Sequence, residues 1–216
     1  MKYTTRLLAI ATCGLALPTL ASAQGGGTLE QFSYDSLGFR GVQFEIGALW
    51  SNKLNTTAQY TVRFHFGEVA PRLRTMVGLS YFKSSLTDGE ISRLEEGILQ
   101  LIDDPLGDAT VDLGTVNWSD FTLTGDFQYL ILRQPRRVLP YIGAGVSLHL
   151  RNGSGDQIEG TVIEDNLDQL QVGLDLTAGA DVKLTRSLIL NLGLRGVLTG
   201  SLNTLTLGLG LGYRVP

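Results

Sequence analysis

"LTLGLGLGYR", residues 205–214, places Leu205, Leu207, Leu209, Leu211 and Tyr213 at odd positions and Thr206, Gly208, Gly210, Gly212 and Arg214 at even ones. A strict period of two is a β-strand whose two faces differ. One face is nearly all bulk and the other has almost none. In a soluble barrel the apolar face turns inward and the solvent face carries many Lys and Glu. Glycines make a poor solvent face. They suit a narrow interior that larger side chains would overfill, with the leucines looking outward into hydrocarbon.

The same period recurs in residues 41–51, 58–66, 73–81, 121–131, 139–150, 169–183 and 187–198. In 41–51, Val42, Phe44, Ile46, Ala48 and Trp50 oppose Gln43, Glu45, Gly47 and Ser51; in 169–183, Leu170, Val172, Leu174 and Leu176 oppose Gln171, Gly173, Asp175 and Thr177. In each strand one face is Leu, Val, Ile, Ala and aromatics, and the other is Gly, Thr, Ser, Gln and a few charges. In hydrocarbon every unpaired strand N–H and C=O costs several kcal/mol, so the sheet has to close. The fold expected is all-β: an eight-stranded antiparallel up-and-down transmembrane β-barrel, with a short amphipathic helix in the second outer loop.

The connections alternate in length. "GEVAPRLR", "RQPRRV" and "LTRS" are tight and basic, whereas the insert from Lys83 to Asn117 and the stretch "RNGSGDQIEGTVIEDNLD" are long and lie at the opposite end. Short turns at one end and long loops at the other fit periplasmic turns and outer loops. Trp50, Tyr60, Tyr81, Trp118 and Phe121 fall near the loop end of their strands and Phe66, Tyr129 and Tyr213 near the turn end, as two aromatic girdles at headgroup depth would. The helix is expected in "TDGEISRLEEGILQLIDD", opened by a capping box from Thr87 to Glu90 and carrying Ile91, Leu94, Ile98, Leu101 and Ile102 at helical spacing until Pro105. Its apolar stripe either packs on the barrel rim, the preferred reading, or meets a partner or the membrane surface.

The first residues read as processing signals. Lys2 and Arg6 precede the apolar run "LLAIATCGLALPTL", and "ASA" at Ala21–Ala23 supplies a cleavage site. Residues 1–23 are thus an expected signal peptide, 24–40 an N-terminal leader and 41–216 the barrel. Cys13 is the chain's one cysteine and sits inside the signal, with a bulky Thr12 before it that disfavours a lipoprotein cleavage. The mature protein is then free of disulfides and thiolate metal sites. A net charge of −4 with no Lys/Arg block excludes the electrostatic footprint of a nucleic-acid binder.

At "PYIGAGVSL", residues 140–148, the chain resembles the small outer-membrane β-barrel family of OmpA-, OmpX- and OmpW-like proteins. The resemblance spans residue 41 onward. It implies insertion by the outer-membrane assembly machinery and contact with outer-membrane lipids and lipopolysaccharide. "GLGLGY", Gly208–Tyr213, is similar to the family's C-terminal assembly signal, although here the chain continues through Arg214, Val215 and Pro216.

Charges that face inward mark the candidate site: Glu45, Arg63, Asp126, Asp175 and Arg195 at mid-barrel, with Arg74, Asp181, Lys183 and Arg214 lower. Glu45 and Arg63 lie on adjacent strands, as do Asp175 and Arg195. Paired charges can satisfy one another where a lone one would be costly. The preferred reading is a salt-bridge network that plugs the lumen of a structural or surface-interaction protein, with an unidentified surface partner. The alternative is a narrow channel for small or hydrophobic solutes, as an OmpW-like resemblance implies. A lipid-modifying enzyme is a third reading: Ser147 and His149 both face inward, but no third member accompanies them. His65 reads as a hydrogen-bonding group, since no ligand spacing supports a metal. The acidic outer loops read as a solvated surface, with weak divalent-cation binding the looser possibility. No cofactor and no catalytic residue is expected.

Overall fold

The computed structural model describes residues 37–100, 111–132, 137–154 and 169–215. The expected signal peptide, most of the leader, Leu101 and Ile102 lie outside them. Eight strands follow in order: β1 (Gly41–Ser51), β2 (Thr57–Ala70), β3 (Leu73–Ser85), β4 (Asn117–Leu130), β5 (Val138–Ser154), β6 (Gln169–Lys183), β7 (Leu188–Leu198) and β8 (Thr204–Arg214), with α1 (Asp88–Leu99) between β3 and β4. Each strand pairs antiparallel with the next, and β8 returns to β1, closing the barrel. Closure gives every strand a paired neighbour on both sides, as hydrocarbon requires. The seam is regular, from Gly41↔Arg214 to Ser51↔Thr204.

The barrel is inverted relative to a soluble one. Leucines of β8, β7 and β6 point outward, and Leu192 is 54% exposed. Gln, Thr, Asp and Arg side chains fill the interior. The glycines of the even face of β8 are explained by close approach: a Cβ on Gly210 would lie 2.6 Å from Cγ of Glu45. On β5, a Cβ at Gly145 would overlap the Asp126 carboxylate and the Gly125 carbonyl. Small residues make room for large inward charges opposite them.

At the turn end, β2 is longer than its alternation predicts. Register shifts after His65, with Gly67 at φ 95°, carry it past an irregular stretch to Ala70. Pro71 and Arg72 alone link it to β3, and Arg72 takes a φ of 70°. The end of the leader joins the sheet: the Arg40 N–H donates to the His65 carbonyl at 2.7 Å, and the Val215 N–H to that of Arg40 at 2.8 Å.

At the loop end the barrel carries a second, apolar core. Leu49, Leu54, Phe82, Leu86, Leu113, Val116, Trp118 and Leu202 pack together, and Ile91, Leu94 and Ile98 of α1 lie against them. The helix stripe thus packs on the barrel rim. No capping box forms: Thr87 is the N-cap without a side-chain cap bond, and the Glu90 N–H donates to the Thr87 carbonyl instead. The Glu90 carboxylate is drawn away to Lys53 at 2.7 Å, so it cannot reach back to the cap.

One aromatic assignment needs correction. Trp118 is no girdle residue; it is 5% exposed and belongs to the apolar core. Strand parity is the reason, because Phe121 faces out and a residue three positions earlier on the same strand must face in. Phe66 is half-buried beside the β2 irregularity. Trp50, Tyr60, Tyr81, Phe121, Tyr129 and Tyr213 are exposed on the outer surface.

Candidate functional site

The interior side chains form three tiers. In the middle tier, Arg63 Nε lies 3.2 Å from Glu45 Oε1, with β1 and β2 pairing Gln43 to Arg63 and Glu45 to Thr61. Arg63 also approaches Asp126, at 3.9 Å. Arg195 donates to that same Asp126 carboxylate from the far wall. The expected Asp175–Arg195 pair does not form. Register sets Thr177, not Asp175, opposite Arg195, and the guanidinium turns across the lumen to Asp126. Asp175 is buried with no hydrogen-bond partner at either carboxylate oxygen among the described residues.

The lower tier is built on Arg74. Its Nε donates to Gln128 Oε1 at 2.9 Å and its Nη1 to Asp181, while its guanidinium stacks 4.8 Å from the Tyr141 ring centre. Asn191 Nδ2 donates to Asp181 Oδ1 at 2.7 Å and to Tyr141 Oη at 3.0 Å. His65 Nε2 lies 3.3 Å from Gln43 Oε1, and no metal-binding cluster is present among the described residues.

The upper tier was not foreseen. Arg151 Nε donates to Asp120 Oδ2 at 2.8 Å, its Nη1 to Gln171 and Ser201, and its Nη2 to Thr199. The guanidinium also sits 5.7 Å from the Trp118 ring centre, which joins this tier to the apolar core above it. Thr122 Oγ1 donates to Asp120 Oδ1 at 2.6 Å. His149 Nδ1 lies 3.0 Å from Asp120 Oδ2, and its Nε2 lies 2.9 Å from Ser147 Oγ. Asp120 is therefore the third member that Ser147 and His149 lacked in the sequence. An Asp–His–Ser order of this kind can activate a serine when a substrate can reach it. Here Ser147 is 3% exposed.

At the turn end a hollow of about 330 Å³ reaches His65 and Arg74 of the lower tier, but at mid-barrel little room is left. A void of about 20 Å³ lies among Glu45, Arg63, Tyr141 and Arg195, room for about one water. An eight-stranded barrel is just wide enough for its own side chains, and these side chains occupy it.

An apolar exterior, aromatic residues at strand ends and a charge-filled interior define a small transmembrane β-barrel. The chain has the fold of the small outer-membrane barrels. Neisserial surface protein A superposes with a TM-score of 0.54 at 13% identity, covering 81% of this chain and 96% of that one. The N-terminal barrel domain of Pseudomonas aeruginosa OprF gives 0.46 at 15%, covering 82% and 99%, and the attachment invasion locus protein Ail of Yersinia pestis, in complex with a heparin analogue, 0.44 at 14%, covering 82% and 99%. No protein-family profile and no curated protein matches the sequence.

Proposed function

We propose that this protein is an outer-membrane barrel with a structural or surface-interaction role, exported by a cleaved signal peptide and held shut by its own side chains. The observation that carries the reading is the stacking of three polar tiers beneath an apolar cap. Its turn end faces the periplasm and its long loops face outward. The assembly machinery, outer-membrane lipids and lipopolysaccharide are the partners this placement implies, with a surface partner at the loops. Conductance of the purified barrel in planar bilayers tests the plug. A quiet baseline is expected; steady unit conductance that changes with Arg63→Gln or Arg195→Gln would make the protein a narrow channel.

The Asp120–His149–Ser147 order favours a second reading, a hydrolase. We read it as structural, because the serine lies under the cap and the strand N–H groups around it serve the ladder, not an oxyanion. A fluorophosphonate probe should leave Ser147 unlabelled. Labelling that is lost in Ser147→Ala would assign an esterase.

A further inference from the structure

The plug does not use the hollow at the turn end. Its walls come from the chain leading into β1, the irregular end of β2, the start of β3 and the ends of β4 and β8. Backbone bonds hold these walls together. The Gly38 N–H donates to the Phe66 carbonyl at 2.9 Å, and the Leu130 N–H to that of Arg72 at 2.8 Å. Arg40 and Val215 stand exposed at the rim, while His65 and Arg74 are buried at the floor. The hollow is a blind pocket, with the lower tier as its base.

Its charges do not balance. Arg40, Arg74 and Arg214 line it, and Glu68 is the one acid among the described lining residues. Glu68 Oε2 already accepts from the Arg72 N–H at 3.0 Å. Arg74 is answered by Asp181 behind it, so three guanidinium groups stand against two carboxylates. Arg74 is also held rigidly. Gln128 and Asp181 fix its Nε and Nη1 and the Tyr141 ring stacks on its face, which leaves Nη2 without a hydrogen-bond partner among the described residues. The Arg214 guanidinium has no hydrogen bond or close ion pair among the described residues, and it feels the like charge of Arg74 more strongly than the charge of Asp181 or Glu68. Two guanidinium groups with donors to spare, on a fixed frame with one cation in excess, attract an anion.

The placement of the two donors selects the anion. Arg74 is on β3 and Arg214 on β8, with β1 and β2 between them. A guanidinium fork matches either carboxylate or phosphate. A planar carboxylate presents its oxygens along one edge, whereas a tetrahedral phosphate presents oxygens to two walls at once. A hollow of about 330 Å³ admits a phosphate together with several waters. We propose that the turn-end hollow binds a phosphate group, held by Arg74 at the floor and by Arg214 from the β8 wall, carried either as inorganic phosphate or on a small phosphate monoester.

The full-length mature chain, folded in a nonionic maltoside micelle, is titrated at fixed ionic strength with inorganic phosphate, glycerol 3-phosphate, acetate or chloride by isothermal calorimetry. Phosphate or its monoester should bind saturably with a roughly millimolar dissociation constant or tighter, as one or two charge-assisted hydrogen bonds give. Acetate and chloride should bind at least roughly tenfold more weakly. Whichever phosphate binds more tightly names the source. Arg214→Gln should weaken phosphate binding roughly tenfold. Val215→Glu, which sets a carboxylate at the rim, should weaken it roughly twofold to fivefold. Arg186→Gln, a turn cation outside the hollow, should leave the affinity within about twofold. Heat-modifiable migration confirms that each variant is folded, and Val215→Glu carries the test if Arg214→Gln does not fold. Absence of saturable binding, acetate binding as tightly as phosphate, or an affinity untouched by Arg214→Gln and Val215→Glu would overturn the proposal. So would a loss in Arg186→Gln as large as that in Arg214→Gln, which would assign the binding to a diffuse positive field.

Discussion

Asp120 and Arg151 face each other across the β4–β5 ladder, and the guanidinium Nε donates to the carboxylate at 2.8 Å inside the barrel. The same guanidinium reaches Gln171, Thr199 and Ser201, so one side chain ties β4, β5, β6 and the β7–β8 loop together. Asp120→Ala or Arg151→Ala should each destabilise the barrel by about 3–5 kcal/mol, because each strands a buried charge. The double variant should cost less than the two singles combined. Urea unfolding in detergent micelles measures all three, and strict additivity would show that the two residues are not coupled.

Asp126 and Asp175 should respond in opposite ways to loss of charge. Asp126 holds Arg195 and lies near Arg63, so Asp126→Asn leaves cations under-compensated and should cost about 3 kcal/mol. Asp175 is buried and, among the described residues, in no close ion pair, and the desolvation of its charge outweighs the longer-range attraction of Arg195, so Asp175→Asn should be neutral or stabilising. Melting temperatures compared at one detergent concentration decide the matter. Equal losses at both positions would mean that Asp175 has a partner of its own.

The outer wall should reject charge. Leu192→Arg is expected to cost roughly 2–4 kcal/mol if that position sits near the bilayer midplane. Thr122→Ser, inside the barrel, keeps the hydroxyl that bonds Asp120 and should cost roughly 1 kcal/mol, the loss of a methyl group. Refolding yield into lipid vesicles separates the two, and similar tolerance would mean that the faces are reversed.

The helix should detach independently of the barrel. Leu94→Asp places a carboxylate against Leu54, Leu86 and their neighbours, so α1 should lose its seat. Deuterium uptake at the amides of α1 should rise while heat-modifiable migration is kept. Loss of the folded band would show that the cap is needed for barrel integrity.

Alternation made most of the fold legible. Eight strands, their faces and their order follow from period two, since a half-lipid, half-lumen strand leaves a strong signal at every residue. Pairing inside the lumen was less legible, because it depends on how far a long side chain reaches. Arg195 has Asp175 on its neighbouring strand yet bonds Asp126 across the interior. The upper tier was hidden by strand ends. Alternation over 121–131 and 139–150 stops one residue short of both Asp120 and Arg151, whereas β4 begins at Asn117 and β5 runs to Ser154. Counting parity one step further would have placed Asp120 with Thr122 inside and Trp118 with them. The capping box failed for a different reason: Lys53, remote in sequence, competes for Glu90.

The apolar cap also bears on the order in which the chain can fold. Leu49 comes from the first strand and Leu202 from the link into the last, yet both lie in that one cluster. Beside them the Asn203 N–H donates to Asn52 Oδ1 at 3.0 Å. These residues are neighbours only after the first and last strands have met, and that is the most sequence-distant strand pairing in the barrel. Distant contacts form late because the intervening chain must first give up its freedom. The cap therefore works as a latch on the finished cylinder. It should slow reopening of the β1–β8 seam far more than it speeds assembly, making the barrel's persistence a matter of rate as well as of equilibrium.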